Sequence, residues 1–442
     1  MEENKMGVMP VNKLLISMAL PMMISMLVQA LYNIVDSMFV AQISENALTA
    51  VSLAFPAQNL MIAIGTGTGV GINALVSRSL GERNQERANL IANNGLALYV
   101  ISGILFAIFG LLGSNLFFRA QTDDPEIVRL GTEYLRICCL LSTAIFLQFG
   151  FERILQATGR TFYTMLTQGL GAIVNIIMDP ILIFGLFGAP KLGVRGAAIA
   201  TVFGQICAAS LACFFNKKKN DDIVINPKKY HLQAHAVKSI YAIGIPSICM
   251  ASIGSIMTFG MNKILIGFTS TAAAVFGVYF KLQSFIFMPV FGLNNGMVPI
   301  IGFNYGAGEH KRVRKIYEIT LIMCAVIMLI GTGICLAIPE QLIGLFSSNP
   351  ETIRLGGQAL TRISAGFLIS AVSITSSGAL EGLGKGGSSL IISLCRNVIV
   401  ILPAAYLLSH LGGGVFVWHA FWITEVISAA VSLVVYRRAV RR

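Results

Sequence analysis

Charged side chains are scarce in this chain. Only 12% of its 442 residues are Asp, Glu, Lys or Arg, whereas 55% are hydrophobic, and the mean hydropathy is +0.76. A soluble protein of this size needs far more charge on its surface, so most of the chain is predicted to face lipid. The longest polar stretch, 216–232, is too short for a soluble domain. It is interpreted as a solvated cytoplasmic linker.

Catalytic and nucleotide-binding motifs are also missing. The sequence contains no Walker A, HExxH or GxSxG pattern. A literal GxGxxG match at 382–387 has no preceding strand and falls in a short loop. The eight cysteines lie in apolar segments without CxxC or histidine at ligand spacing, and are interpreted as small core residues. We therefore predict no enzyme activity and no cofactor; transport energy would come from an ion gradient.

What the chain does contain is an internal repeat. DPEIVRLG at 124–131 returns as NPETIRLG at 349–356, an offset of 225 positions. LQATGR at 155–160 returns as LEGLGK at 380–385 at the same offset, and Gly81-Glu82 is paired with Gly308-Glu309 at an offset of 227. Such self-similarity indicates two copies of one architecture. The predicted lobes are 1–215 and 233–442, joined by 216–232.

The fold class predicted is an all-α membrane protein with twelve transmembrane helices in two pseudo-symmetric six-helix lobes. A helix needs ~20 apolar residues to cross a bilayer. Twelve such segments can be read from the sequence: 11–42, 47–77, 88–113, 127–152, 161–187, 193–215, 236–267, 272–303, 313–338, 352–380, 387–409 and 414–436.

The basic residues indicate the orientation. When the loops are assigned alternately to two sides, one side collects 22 Lys and Arg residues and the other collects 5. The richer side includes the final arginines, Arg437, Arg438, Arg441 and Arg442. The positive-inside rule then places both termini in the cytoplasm of a multi-pass plasma (inner) membrane protein. The net charge of +12 is explained by this distribution, so no nucleic-acid partner is predicted.

Two six-span halves run in the same direction and form parallel repeats. Transporters of this plan bind their substrate between the halves and alternate its access to the two sides. We predict a monomeric transporter in the lipid bilayer, with small amphipathic organic compounds as substrates.

Three acidic residues lie deep in the predicted spans. A charged group is costly inside the membrane, so an acid at such a depth suggests a functional role. Asp36 in span 1 and Asp179 in span 5 both lie ~10–12 Å below the outer surface, at a rise of ~1.5 Å per residue. Asn175 shares a helix face with Asp179, and Thr201 in span 6 reaches the same depth. These four residues are either a polar packing network or an ion-coupling site for H⁺ or Na⁺, and the second interpretation is preferred. The oxygen ligands do not distinguish the two ions.

The third deep acid, Glu425, is expected to pair with Arg396 of the neighbouring span. A polar stripe on span 1 continues from Asp36 toward the middle of the membrane through Gln29, Tyr32 and Asn33. We predict that this stripe lines the substrate cavity together with residues of the second half. These are Met257, Met261, Lys281, Gln283, Phe287 and Met288. Helically spaced Met and Phe are also typical of simple packing.

Several segments together resemble the multidrug and toxic compound extrusion (MATE) transporters over essentially the whole chain. They are LPMMISMLVQALYNIVDSMFV at 20–40, LQATG at 155–159, MDPILIFG at 178–185, GAAIAT at 196–201 and FMPVFGLNNGMVPIIGFNYGAG at 287–308. The resemblance implies a secondary active antiporter for multidrug efflux, by which cells resist antibiotics.

The branch that is similar to DNA-damage-inducible transporters uses an Asp on span 1, an Asn and an Asp on span 5, and a Thr on span 6. Those roles would fall on Asp36, Asn175, Asp179 and Thr201. The other main branch binds Na⁺ through acids on spans 7 and 10. Span 7 of this chain has no acid, and span 10 has only Glu381 at its cytoplasmic end. The alternative function is a flippase for a lipid-linked oligosaccharide or related lipid, a related group whose cavities are rich in arginine.

Overall fold

The computed structural model describes residues 3–441, so Arg442, counted above among the cytoplasmic charges, lies outside the described residues. Residues 3–441 form helices and no strand. The first half comprises α1 (Lys5–Val8), α2 (Val11–Ala41), α3 (Glu45–Gly81), α4 (Gln85–Leu112), α5 (Ser114–Arg119), α6 (Pro125–Leu140), α7 (Thr143–Ala157), α8 (Thr161–Phe184) and α9 (Val194–Lys219).

The second half repeats most of this order at a shift close to 225, with two helices, α16 and α17, in the place of α8. It comprises α10 (Ala234–Ile266), α11 (Ser270–Gly306), α12 (His310–Ala337), α13 (Pro339–Gly344), α14 (Pro350–Ser364), α15 (Phe367–Gly382), α16 (Gly386–Leu394), α17 (Ile401–Gly412) and α18 (His419–Arg441). Helices α11 and α12 reproduce the bounds of α3 and α4 at both ends with an offset of 225. The all-helical two-half architecture predicted from the repeat is therefore confirmed.

The repeated DPE and NPE sequences are helix starts. Asp124 accepts hydrogen bonds from the backbone N–H groups of residues 126 and 127, and Asn349 accepts them from residues 351 and 352. In both helices proline occupies the first turn. Backbone N–H groups in the first turn have no acceptor within the helix, so proline, which lacks an N–H, removes no hydrogen bond there. The same capping sequence therefore starts α6 in the first half and α14 at the corresponding place in the second half.

One of the predicted repeat pairings was wrong by two positions. The tight turn after α3 has a positive φ at Arg83 (56°), and the turn after α11 has one at Gly308 (77°). Gly81 therefore corresponds to Gly306, and the offset here is again 225. A left-handed conformation costs more for arginine than for glycine, so the first half tolerates a strained residue where the second has glycine.

Nine helical segments of residues 3–441 are long and apolar enough to cross a membrane. Helices α6 and α7 form a pair bent by 44°, and α14 and α15 form a pair bent by 55°; with each pair taken as one span, the count is 11. The stretch Gly386–Arg441 counts once, although its 56 residues include α16, α17 and α18. The predicted total of twelve spans and the cytoplasmic termini remain predictions.

The halves interlock through their first long helices. Four apolar residues of α2 and Met6 of α1 belong to a core whose other buried members come from the second half; the four are Val11, Leu14, Leu15 and Met18. Conversely, Ala236 and Ile240 of α10 belong to the core of the first half. Both regions lie at the end of the bundle that carries the chain termini and the linker, here called the terminal side. A Cβ on Gly71 would lie 2.4 Å from the carbonyl oxygen of Ile240. Close backbone contact thus joins the halves at the terminal side.

The linker between the halves is exposed over most of its length and is also fastened to α4. Asn89 and Asn93 hydrogen-bond to the backbone of Val224 at 2.9 and 2.8 Å, and Asn94 accepts from the backbone N–H of Gln233 at 2.7 Å. The charges of 216–232 alone predict a solvated segment. The side chains that hold it, Asn89, Asn93 and Asn94, lie on α4 and cannot be connected with it from those charges.

Candidate functional site

The four predicted ion-coupling residues lie together inside the first half. With the Asn175 amide oriented so that both its polar atoms are satisfied, its Nδ2 donates to Asp179 Oδ2 at 2.9 Å. Its Oδ1 then accepts from the backbone N–H and the hydroxyl of Thr201, each at 3.1 Å. Asn175 and Asp179 are 2% and 0% exposed. One buried amide therefore connects α8 to α9 and to the carboxyl group.

Two glycines allow this contact between α8 and α9. A Cβ on Gly204 would lie 2.6 Å from the carbonyl oxygen of Gly171, and a Cβ on Gly171 would lie 3.2 Å from that of Gly204. The backbones therefore approach more closely than side chains would permit. This approach brings Thr201, one turn before Gly204, within reach of Asn175, one turn after Gly171.

Asp36 completes the site from α2. Its carboxyl group is a neighbour of the Asp179 carboxyl group. Each of the two aspartates also has an Oδ1 atom that is shielded from solvent and has no hydrogen-bond partner among the described residues. Two ionised carboxylates in neighbouring positions repel each other, so one proton or cation bound at the pair would relieve this repulsion.

The site opens into a cavity of about 560 Å³. Asp36, Tyr32 and Asn33 line it from α2, and the remaining walls come from α3, α6, α7 and α9. Its volume is that of a pocket for a drug-sized molecule. The part of α2 that lines this cavity lies on the side of Pro21 away from the terminal side.

A second, smaller cavity of about 90 Å³ continues toward the terminal side. Tyr32, Thr201 and Gln205 line both cavities, whereas Gln29 and Asn175 line only the smaller one. The predicted stripe of Gln29, Tyr32, Asn33 and Asp36 thus follows a single polar path through the first half.

A buried glutamate at the terminal-side end of this path is not among the predicted site residues. Glu152 is 1% exposed and accepts hydrogen bonds from Thr167 (2.8 Å), Gln168 (2.9 Å) and Gln148 (3.1 Å). Gln148 and Gln168 also line the smaller cavity. In the sequence Glu152 is the last residue of the fourth predicted span, 127–152. The signal that points to it is Gln148, four residues earlier on the same helix face.

Comparisons with known proteins agree with this architecture. The MatE family model matches residues 21–181 and 243–407, one segment in each half. The chain belongs to the MatE family. Its relatives include the multidrug export protein MepA of Staphylococcus haemolyticus (strain JCSC1435), 25% identical over 95% of this chain and 92% of that protein. MepA of Staphylococcus aureus (strain NCTC 8325 / PS 47) is also 25% identical, over 97% of this chain and 94% of the relative.

Solved MATE structures have the same fold. A MATE transporter in complex with MaL6 matches with a TM-score of 0.93 and 26% identity, covering 100% of this chain and 99% of that one. A multidrug resistance MATE transporter in an outward-facing conformation matches with a TM-score of 0.93 and 26% identity, covering 100% and 98%. The resemblance inferred from the sequence is confirmed, and this MatE protein is a multi-span membrane transporter.

The predicted cavity residues of the second half differ in how far they are exposed in this MatE protein. Met257, Met261 and Phe287 are 7%, 0% and 3% exposed and pack in the apolar core of the second half. Lys281 is exposed, whereas Gln283 and Met288 are half-buried. None of these six residues lines either of the two cavities described above. Both of these cavities are lined by residues of the first half.

The expected ion pair of the second half is formed. Arg396 Nε donates to both carboxylate oxygens of Glu425, at 2.9 and 3.1 Å, and each side chain is 14% exposed. Arg396 belongs to a π-helical turn, Cys395–Ile399, and its guanidinium lies 5.5 Å from the centre of the Phe287 ring. Each charge is neutralised locally, as its depth in the bundle requires.

Proposed function

We propose that this MatE protein exports amphipathic, often cationic, compounds in exchange for protons. The observation that carries the proposal is the contact between the Asp36 and Asp179 carboxyl groups at the wall of the 560 Å³ cavity. A cationic compound in the cavity and a proton on the carboxyl pair compensate the same negative charge. Each therefore weakens the binding of the other, and this reciprocal coupling is what antiport requires.

The donor set favours H⁺ over Na⁺. A sodium ion needs several oxygen ligands directed at one point, whereas Asn175 directs an N–H group at Asp179. In the same orientation the Thr201 hydroxyl donates its one hydrogen to the Asn175 amide oxygen at 3.1 Å. The two unpartnered carboxylate oxygens suit a shared proton.

Glu152 gives the proton a second position nearer the terminal side. Two cavities that share Tyr32, Thr201 and Gln205 connect the neighbourhood of Asp36 with Gln148 and Gln168, which hydrogen-bond to Glu152. A proton taken up at Asp36 and Asp179 can then leave through Glu152 on the cytoplasmic side. The path lies wholly within the first half.

The kind of substrate is inferred from two sources. The relatives named above are multidrug export proteins, and the larger cavity combines an acid with the aromatic side chains of Tyr32, Phe55 and Tyr134. Aromatic rings and a carboxylate together attract flat organic cations. We place this activity in a monomer in the plasma membrane, with both termini in the cytoplasm.

The test is efflux of a cationic dye by the Asp36→Asn variant. Asn has nearly the same shape as Asp but cannot exchange a proton, so we expect dye efflux to fall at least ~10-fold, equivalent to ~1.4 kcal/mol. Asp123→Asn, in an exposed loop, is the matched control and should export as the wild type does. Efflux that persists in Asp36→Asn at the control's level would refute the assignment.

A further inference from the structure

The N-terminal segment 4–9 contacts the first half of the molecule through Asn4. Its Nδ2 donates to the carbonyl of Thr158 at 3.1 Å and to Asp222 Oδ2 at 3.2 Å. Asp222 also accepts from Arg160 at 2.6 Å. Between Thr158 and Arg160, Gly159 has a φ of +88° and lies against the segment, since a Cβ there would be 3.4 Å from the Met6 side chain.

The same segment contacts the second half through its backbone. Asn304, which is fully buried, donates to the carbonyl of Met6 at 2.9 Å. Arg312 donates to the carbonyls of Met6, at 3.3 Å, and Met9. The side chain of Met6 is itself fully buried in the core that α2 shares with the second half. Six residues of chain are therefore bonded to both halves at once.

The position of Asp222 is set by the fastened linker. Asn89 and Asn93 of α4 hold the backbone of Val224 on both sides, and Gln85 donates to the carbonyl of Asp222 itself. Asp222 therefore stays with the first half when that half moves. A carboxylate that accepts from both Arg160 and Asn4 makes charge-assisted bonds, which are stronger than bonds between neutral groups.

We propose that residues 4–9 act as a latch, which holds the terminal side closed until the bonds of Asn4 to the first half break. A separation of the halves at the terminal side cannot keep both sets of contacts. The contacts to the second half involve a buried asparagine, an arginine and the Met6 side chain, whereas the hydrogen bonds to the first half come from one partly buried side chain. The first-half contacts are therefore the ones that release.

The latch acts by shifting a population. A contact that exists only in the closed state stabilises that state, so its removal increases the fraction of molecules open at the terminal side. This inference concerns the equilibrium between conformations. It rests on the proposed function only in that alternating access requires the terminal side to open.

The experiment measures the distance between spin labels on cysteines at Lys217 in the first half and Gly387 in the second, both exposed. The background is full-length protein with its eight native cysteines replaced. Arg312→Gln removes contacts that both states keep and should change the population at the longer distance little, whereas Asp222→Asn should raise it several-fold. Asn4→Ala, which removes a single amide near the surface, should do the same.

Two controls have matching chemistry. Asp221→Asn removes the neighbouring carboxylate, for which no side-chain bond occurs among the described residues, and Arg314→Gln removes a cation that pairs only with Glu318 within its own helix. Both should retain the wild-type distances. If Asp222→Asn and Asn4→Ala also retain them, the latch is refuted. Because the readout is a distance, a failure of proton-coupled export would leave this result unaffected.

Discussion

At the residue scale, the ion-coupling proposal depends on a few polar atoms for which the bundle provides no other partner. The Asn175 amide fixes Asp179 and Thr201 in one orientation, while Asp36 approaches from a different helix. Buried polar groups without partners are costly, and they are retained where they serve function. The two unpartnered Oδ1 atoms of Asp36 and Asp179 are of this kind.

Glu152 provides a test at the same scale. Replacing it with Gln keeps the shape but removes the exchangeable proton, and it leaves three hydrogen-bond donors facing an amide. We expect proton-driven dye efflux to fall at least ~10-fold. Dye binding to the purified protein, whose cavity lies elsewhere, should change little.

Glu45→Gln, at the exposed start of α3, is the control for this prediction. A purely structural role for Glu152 would instead lower the melting temperature and the dye affinity together. In that outcome the pH dependence of whatever efflux remains would be unchanged, and the proposed second proton position would be wrong.

At the scale of elements, the site depends on how closely α8 and α9 approach. Gly204→Ala places a Cβ 2.6 Å from the carbonyl of Gly171, which must move the helices apart. Overpacking of this kind costs ~1–3 kcal/mol, and it should also separate Asn175 from Thr201. We expect a lower melting temperature and reduced efflux.

Gly169→Ala is the matched control on α8, because nothing lies within 4 Å of its Cβ position. It should leave efflux and melting temperature at the wild-type level, or raise stability slightly through the better helix propensity of alanine. Equal effects of the two substitutions would show that the close approach at Gly171 and Gly204 does not position the site.

The sequence predicted the elements better than their contacts. Apolar segment length and the DPE and NPE helix starts predicted the helices and the repeat, because both are local properties of the chain. The depth of Asp36, Asn175, Asp179 and Thr201 predicted that they would meet, because depth follows from helical rise. By contrast, Glu152 lies near a span end, and only packing against α8 shows that it is enclosed.

The positions of Met257, Met261 and Phe287 illustrate the same limit. Their helical spacing fits a cavity wall and a packed core equally well, and the choice depends on the rotation of α10 and α11 about their axes. The fastened linker was missed for a related reason. Its partners are three asparagines of α4 that the sequence alone does not connect with it.

At the scale of the whole molecule, the helical scaffold is repeated in both halves, but the proposed ion site is not. The two halves share bounds, turns and helix starts at an offset of 225, but the acid pair and both described cavities belong to the first half. Helix α2 connects the two properties. Its beginning lies in the core of the second half, and its later part carries Asp36 into the ion site. Binding or loss of a proton at Asp36 would therefore act on a helix that packs against both halves.

The most direct test of the proton-coupling proposal uses purified protein in proteoliposomes loaded with a cationic dye. An imposed pH gradient should drive dye transport by the wild type, and an imposed Na⁺ gradient of equal size should not. The Asp36→Asn variant should fail under both gradients, and Asp123→Asn should behave as the wild type. Transport driven equally well by Na⁺ alone, or a pH-driven Asp36→Asn variant, would contradict the account.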